Sequence, residues 1–331
     1  MYQSFYGLRE LPFELTPNPK FLFLTARQRE ALSNVQYGLF SAKSLTVLIG
    51  EAGTGKTTLL RAALESERCR HIRHIYLKNP VLSPEDFVRT LAAGFGLGPE
   101  AAASKATLLE RLEPLLRERR SRGEITALVV DEAQSLSRGL MEEIRLLANI
   151  ETATEKLLPL VLAGQPELAK KLEDPRLRQL KQRVTLRCEL LPFEPADTAA
   201  YMASRITTAG GVPTRMFTRQ AVSAIHDYAN GIPRTISVVC DNALLSGMSL
   251  GRHPVDREIV LEVCRDLLLR REKRPASSGM GLEDDAGAVH SNGNGANGSE
   301  QAERSRSPWR FGFRLGAALL PMRKTTEVVR E

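Results

Sequence analysis

The sequence has only four cysteines, and no two of them lie close together. Cys69, Cys188, Cys240 and Cys264 include no C-x-x-C pair. This spacing argues against a zinc site and against a disulfide framework. A reducing cytoplasm is the compartment that such cysteine usage fits best.

Long apolar runs are missing as well. Residues 1–10 mix aromatic, polar and charged side chains, so no secretory signal is predicted. The apolar run Leu315–Leu320 has only six residues before Pro321, whereas a membrane-spanning helix needs about 20. We therefore expect a chain that is neither exported nor inserted across a membrane on its own.

Length and charge leave the class of partner open. The 331 residues suffice for one α/β domain, a smaller domain and a tail. Lysine and arginine outnumber aspartate and glutamate by 46 to 39, which gives a net charge of +7. This mild excess is compatible with an acidic partner, such as nucleic acid or anionic lipid, but does not select one.

Short apolar segments alternate with helical patterns between residues 45 and 190. The strand-like segments are Leu45–Ile49, Ile72–Leu77, Ile125–Val130, Leu157–Ala163 and Val184–Leu190. The helical segments include Thr57–Leu64, Pro84–Phe95, Leu108–Arg119 and Leu140–Asn149. Such alternation predicts an α/β fold with a parallel sheet, right-handed crossovers and helices on both faces.

Beyond residue 191 the strand pattern stops and a second part begins. Helices are predicted near Pro195–Thr208, Thr218–Ala229, Pro233–Gly247 and Arg257–Arg271. From residue 273 the composition shifts to Ser, Gly, Asn, Ala and charge, which cannot bury enough apolar surface to fold. We therefore predict an α/β domain at 1–190, a small helical domain at 191–272, and a flexible linker with a basic, aromatic tail at 273–331.

One segment matches the phosphate-loop pattern G-x-x-x-x-G-K-[ST], directly after the first strand and before a helix. In this context glycines let backbone N–H groups converge on phosphate oxygens, and the helix N-terminus adds positive charge. Lys56 is expected to reach the β- and γ-phosphates, and the Thr57 hydroxyl to bind Mg²⁺. ATP is the predicted ligand, held by Gly50, Glu51, Ala52, Gly53, Thr54, Gly55, Lys56, Thr57 and Thr58.

Two acids follow the third predicted strand. Asp131 and Glu132 come directly after Ile125–Val130, and the carboxyl ends of strands are where ligands bind in such sheets. We expect Asp131 to hold Mg²⁺ with Thr57, and Glu132 to orient and polarise the attacking water. A strand end with two acids alone would equally fit a solvated turn, but behind a phosphate loop it predicts ATP hydrolysis.

Together with a helical domain, these motifs resemble an AAA+ ATPase. Further strings resemble the ExeA family, also called general secretion pathway protein A, over about residues 1–270. The segments that carry this resemblance are Phe5–Leu8, Pro12–Phe13, Thr16–Pro19, Asp131–Gln134, Glu143–Asn149, Leu162–Leu168 and Gly231–Arg234. The resemblance implies a P-loop NTPase of three α/β/α layers with a small C-terminal helical lid.

The resemblance also assigns roles to single residues. Gln165 matches the sensor-1 position, which contacts the γ-phosphate or the attacking water, although it also fits a plain turn before Pro166. Arg234 matches sensor 2, which couples phosphate to lid closure, or is an ordinary arginine at a helix start. Residues 1–43 would cover the adenine side of the nucleotide, unless their aromatic side chains serve core packing.

Arg183 matches the position from which AAA+ proteins project an arginine finger into a neighbouring subunit, and Arg178 is a second candidate. A guanidinium there would cancel charge on the transferred phosphoryl group. The alternative is a solvated basic helix face that also includes Arg176 and Lys181. The finger implies a homo-oligomer, most simply a ring.

For the biological role, the resemblance implies an ATPase that drives assembly or conformational change in a bacterial secretion, pilus or exopolysaccharide export system. Its expected location is the cytoplasm, free or peripheral at the inner membrane. Longer family members continue into a membrane span and a periplasmic peptidoglycan-binding domain, neither of which can be read here. A DNA-associated ATPase of the transposition-helper or initiator kind is the alternative; no recognition helix or stacking platform favours it. A nucleotide-gated scaffold with little turnover is a further one.

Overall fold

A computed structural model describes residues 2–16, 18–78 and 80–270. Its strands are β1 (Leu45–Gly50), β2 (Arg73–Leu77), β3 (Thr126–Val130), β4 (Leu160–Gly164) and β5 (Val184–Leu190). They form one sheet in the order β2-β3-β4-β1-β5, and every neighbouring pair is parallel. All carboxyl ends therefore meet at one edge, with β1 between β4 and β5.

Helices surround and follow this sheet. Those up to β5 are α1 (Tyr2–Tyr6), α2 (Ala26–Phe40), α3 (Lys56–Glu65), α4 (Pro84–Phe95), α5 (Lys105–Ser121), α6 (Arg138–Leu147), α7 (Pro166–Leu172) and α8 (Arg178–Lys181). Those after β5 are α9 (Pro195–Thr208), α10 (Pro213–Met216), α11 (Arg219–Ala229), α12 (Pro233–Ser249) and α13 (Arg257–Asp266).

The two faces of the sheet carry separate apolar cores. Leu45 and Val47 of β1 face a core shared with α4, α5 and α6, whereas Leu48 faces one shared with α2 and α3. Because side chains alternate along a strand, a central strand covered on both faces is apolar throughout. The predicted three-layer α/β/α fold with a parallel sheet is confirmed.

Several element boundaries differ by a few residues from the pattern-based prediction, and one helix was missed. β4 starts at Leu160 because Pro159 has no N–H for the ladder, although its carbonyl accepts from Leu128 N–H over 3.0 Å. α13 ends at Asp266, and Leu268 then turns the chain with a left-handed φ of 53°. α2 had no counterpart in the prediction, yet Thr25 begins it with a reciprocal capping box.

The N-terminal segment packs with the last helices. Tyr2, Tyr6 and Phe13 lie in one apolar cluster with side chains of α9, α11, α12 and α13. The Tyr6 hydroxyl donates to the carbonyl of Leu244 over 3.1 Å, and Arg205 of α9 donates to the carbonyls of residues 12 and 14. The division into domains at residue 190 stays a prediction, since these parts belong to one compact unit.

Two further expectations concern the membrane and the tail. Within residues 2–16, 18–78 and 80–270, no helix has the length and apolar character needed to cross a bilayer. The linker and tail at 273–331 lie outside the described residues.

Candidate active site

The phosphate loop connects β1 to α3 at the carboxyl edge of the sheet. Gly53 and Gly55 have φ values of 82° and 99°, a left-handed conformation that glycine adopts without strain. The Thr54 hydroxyl closes the loop by donating to the carbonyl of Glu51 over 2.8 Å. Within the described residues no side chain caps the start of α3, so its first N–H groups are left for an anion.

Lys56 is buried inside this loop. Its Nζ donates to the carbonyls of Gly50 and Glu51 over 2.8 and 3.1 Å, and the residue is only 5% exposed. Burial lowers the pKa of Lys56, although the nearby carboxylates of Glu132 and Asp131 oppose that shift. The loop therefore holds a cation at its centre, where phosphate oxygens are expected to bind.

Asp131 directly follows β3 and lies next to the start of α3. Its Oδ2 accepts hydrogen bonds from the Thr57 hydroxyl over 2.6 Å and from the Tyr76 hydroxyl over 2.9 Å. Burial and the charge of Asp131 raise the pKa of Tyr76, which keeps this phenol protonated as a donor. Tyr76 was not predicted as a site residue, because its position on β2 carries no local motif.

The Thr57 and Asp131 oxygens have the chemistry that Mg²⁺ prefers. Hard oxygen atoms lie side by side at the mouth of the loop, and Mg²⁺ typically takes one or two protein oxygens together with substrate phosphates and waters. The described residues contain no group of three or more His, Cys, Asp or Glu arranged as a metal site. The donor set fits a magnesium ion that binds with the nucleotide.

Glu132 follows Asp131 in a left-handed conformation, with φ of 52°. Its Oε2 accepts from Gln134 Nε2 over 2.6 Å and from Gln165 Nε2 over 3.3 Å. Burial raises the pKa of Glu132, but these two hydrogen bonds and the charge of Lys56 outweigh it and keep the pKa below its usual value. The carboxylate is therefore ionised and oriented, as a group that polarises water must be.

Residues before and after the sheet also touch the loop. The N–H of Arg234 donates to the carbonyl of Gly53 over 3.3 Å, and a methyl group at Gly53 would lie 3.0 Å from Arg234 Cβ. Arg234 itself is exposed. On the other side, Gln28 of α2 is buried and donates to the carbonyl of Thr54 over 3.4 Å. The helical part and α2 therefore both contact the loop backbone.

Arg183 lies at the opposite edge of the sheet. The residue after it, Val184, pairs with Leu45 at the start of β1, whereas the loop begins at the other end of that strand. With about 3.3 Å per residue, five strand positions place Arg183 on the order of 16 Å from its own loop. Burial lowers the pKa of Lys156, and the positive charge of Arg183 lowers it further.

Arg178 is exposed at the start of α8. Among the described residues, Arg176 and Lys181 form ion pairs with Asp174 and Glu173, whereas Arg178 and Arg183 form none. The structure thus brings the loop, Asp131, Glu132, Gln165 and the Arg234 backbone together, whereas Arg183 lies at the opposite edge of the sheet. Thr58 lies in the first turn of α3 and is exposed.

Two residues that sequence reasoning did not select support the turn after β3. Gln134 contacts Glu132, as described, and its Oε1 accepts the N–H of Gln165 over 3.1 Å. Lys171 of α7 donates to the carbonyl of Gln134 and to that of Leu136, the latter over 2.8 Å. Gln134 belongs to the segment Asp131–Gln134 that carries the family resemblance, but the resemblance assigned it no role.

Comparison with known proteins gives two sequence relationships. Residues 39–172 match the family model of an AAA domain. General secretion pathway protein A of Aeromonas hydrophila is 40% identical over 255 residues. That match covers 77% of this chain and 46% of the relative, so the chain spans about half the length of the curated protein it matches.

Solved structures agree on the fold. Cdc6p of Pyrobaculum aerophilum has a TM-score of 0.59 at 18% identity, with 77% of this chain and 70% of that chain covered. ORC2 of Aeropyrum pernix in its ADPNP–ADP complexes has a TM-score of 0.57 at 14% identity, with 77% of this chain and 70% of that chain covered. A Walker-type ATPase of Pyrococcus abyssi has a TM-score of 0.54 at 20% identity, with 78% of this chain and 77% of that chain covered. At such identities the likeness concerns the fold alone.

The parallel sheet, the phosphate loop and the acidic strand end define a P-loop ATPase of the AAA class. Within that class the chain carries an AAA domain of the ExeA type, and its resemblance to general secretion pathway protein A is confirmed.

Proposed function

We propose that the chain binds ATP with Mg²⁺ in the loop Gly50–Thr57 and hydrolyses it. The observation that carries this proposal is the convergence of Lys56, the Thr57–Asp131 pair and the oriented Glu132 carboxylate at one edge of the sheet. A structural turn would not require a cation and two acids this close together in a partly or fully buried place.

Each residue has one task in the proposed reaction. The loop N–H groups and Lys56 bind the phosphates, and their positive charge stabilises charge that develops on the transferred group. Mg²⁺, held by Thr57 and Asp131, would supply further charge neutralisation on the phosphate oxygens. Glu132 orients and polarises the attacking water, and Gln165 lies beside it to contact that water or the γ-phosphate.

The substitution Glu132→Gln tests the catalytic step. Its amide keeps the size of the side chain but removes the charge that polarises water, so turnover should fall about 100-fold or more. ATP binding, measured by calorimetry, should remain within a few-fold of the parent because Lys56 and the loop are unchanged. Parental turnover in this variant would refute the assignment, and an absence of turnover in the parent itself would favour the nucleotide-gated scaffold.

For the biological role, we propose that the ATPase drives assembly or conformational change in a secretion or polysaccharide export system at the inner membrane. The support is the 40% identity to general secretion pathway protein A. The structures of DNA-associated relatives such as ORC share less than 25% identity and support only the fold. A steep, salt-dependent affinity for DNA would instead favour the DNA-associated alternative.

A further inference from the structure

Gln134 joins the two residues assigned to water activation, Glu132 through its side chain and Gln165 through its backbone. Its amide nitrogen donates to Glu132 Oε2 over 2.6 Å, while its amide oxygen accepts the backbone N–H of Gln165 over 3.1 Å. Gln165 closes the triangle by donating to the same oxygen of Glu132 over 3.3 Å. A single amide therefore sets the relative positions of residues that follow two neighbouring strands, β3 and β4.

The position of Gln134 is itself fixed from two sides. Lys171 of α7 donates to its backbone carbonyl and, over 2.8 Å, to that of Leu136. At the end of β4, a methyl group on Gly164 would lie 2.8 Å from the Gln134 amide oxygen. The absence of a side chain at Gly164 thus leaves the space into which this amide fits.

The arrangement has a direct consequence for Glu132. Its backbone conformation is left-handed, which a non-glycine residue adopts only when its surroundings hold it there. Two amides donate to its Oε2, whereas its Oε1 makes no hydrogen bond within the described part of the chain. One carboxylate oxygen is therefore fixed, and the other remains available to a water molecule.

We propose that Gln134 is a positioning residue for hydrolysis, which orients the Glu132 carboxylate and the Gln165 backbone toward each other. This inference rests on the proposed function, because it gives Gln134 a role only if Glu132 activates water. Gln134 contacts neither the phosphate loop nor its lysine among the contacts described, so nucleotide binding should not depend on it.

The substitution Gln134→Met tests this role, since it keeps the length of the side chain and removes both hydrogen bonds. Loss of a partner that orients a metal ligand typically lowers activity about 10- to 100-fold, and we expect kcat to fall by a similar factor because Gln134 orients Glu132 in the same way. KM and the affinity for a non-hydrolysable ATP analogue should stay within about threefold, because ground-state binding is unaffected. An unchanged kcat, or an equal loss of affinity and rate, would overturn the proposal.

Two further variants separate positioning from simple support of the turn. Gln134→Glu keeps an acceptor for the Gln165 N–H but places a carboxylate against Glu132, so its kcat should be at least as low as that of Gln134→Met. It also serves if Gln134→Met fails to fold. Ser135→Ala is the matched control, because the Ser135 hydroxyl donates to the backbone carbonyl of Glu132 over 2.6 Å rather than to its carboxylate. An equal loss in Ser135→Ala would show that only the turn matters.

The loss of kcat in a double variant distinguishes a positioning role of Gln134 from a merely structural one. If Gln134 and Gln165 both act on the same Glu132 oxygen, the loss of kcat in Gln134→Met/Gln165→Met should be smaller than the product of the two single losses. Fully multiplicative losses would contradict a shared mechanism. The outcome for Glu132→Gln keeps the two proposals apart: if that variant loses turnover and Gln134→Met does not, only the positioning role fails.

Discussion

The carboxyl and amino edges of the sheet handle charge in opposite ways. At the carboxyl edge, Lys56 and Asp131 are 5% and 3% exposed and are held by hydrogen bonds within the site. At the amino edge, Lys156 pairs with Glu151 and Arg120 with Glu155 in half-exposed ion pairs around an open cleft of about 480 Å³.

This difference in burial distinguishes charges that serve a ligand from charges that lie at an ordinary protein surface. Burying a charge costs stability unless a partner compensates it, so the two buried charges at the carboxyl edge, which form no ion pair with each other in the described residues, are best explained by a ligand of high charge. Exposed ion pairs contribute about 0 to 1 kcal/mol each and need no such explanation. Arg183 stands out at the amino edge, because it is half-buried and forms no ion pair with the described residues.

The largest expected effect concerns Arg183, which we propose to act on ATP bound by a neighbouring subunit. Arg183→Ala should keep ATP binding and lower turnover roughly 10³- to 10⁵-fold, or about 4 to 7 kcal/mol of barrier, as the loss of an arginine finger does. Steady-state hydrolysis and calorimetry measure the two effects. Arg178→Ala is the comparison variant, since Arg178 is the second arginine of that segment that forms no ion pair with a described residue.

A mixing experiment decides whether this arginine acts between subunits. Arg183→Ala supplies an intact loop and Lys56→Ala an intact arginine, so a mixed assembly should regain part of the activity. If the two variants demonstrably assemble together and the mixture stays inactive, Arg183 does not act in trans. If Arg178→Ala lost ATP hydrolysis while Arg183→Ala kept it, Arg178 would be the arginine finger.

The next effect compares a lysine at each edge. Lys56→Ala should weaken ATP binding by about 2 to 5 kcal/mol, because it removes a buried, hydrogen-bonded charge that meets phosphate. Lys156→Ala removes an amine from an ion pair at the amino edge and should change stability by less than about 1 kcal/mol, with ATP affinity unchanged. Calorimetry on both variants checks this, and equal losses of affinity would contradict the distinction between the edges.

A smaller effect is expected for Tyr76, whose hydroxyl holds the Asp131 carboxylate. Tyr76→Phe should raise the Mg²⁺ concentration needed for half-maximal hydrolysis, because a hydrogen bond to a charged group is worth about 1.5 to 3 kcal/mol. Tyr37→Phe, on the exposed side of α2, is the control and should leave this value unchanged. An unaltered Mg²⁺ requirement in Tyr76→Phe would mean that the Thr57 hydroxyl and the Glu132 N–H orient Asp131 without help from Tyr76.

The parts of the site that follow from the sequence are those encoded locally. The phosphate loop and the acids after β3 are contiguous motifs next to strands, and their strands were predicted to within a few residues because buried parallel strands are continuously apolar. Tyr76 and Gln134 escaped prediction for the opposite reason. Their roles depend on which strand ends become neighbours and on the left-handed turn at Glu132.

The N-terminal segment shows the same limit at longer range. The aromatic residues of positions 2–21 were open to two interpretations, a nucleotide cover or core packing, and the structure places Tyr2, Tyr6, Leu8, Phe13 and Phe21 in the apolar cluster of the last helices. A local sequence pattern cannot predict which distant helices these side chains pack against. The missed helix α2, by contrast, carried a readable signal in Thr25 and Gln28.

The distance along the chain between these partners has a consequence for how the protein is made. The Tyr2 hydroxyl donates a hydrogen bond to Asp241, which lies 239 positions later, and the Tyr6 hydroxyl donates one to Leu244, which lies 238 positions later. At about 5 to 20 residues per second, roughly 10 to 50 seconds pass between the emergence of the first helix from the ribosome and that of α12. During this interval the aromatic side chains of the N-terminal segment have no packing partner and stay exposed. We therefore expect the nascent chain to present a binding site for chaperones until α12 is released.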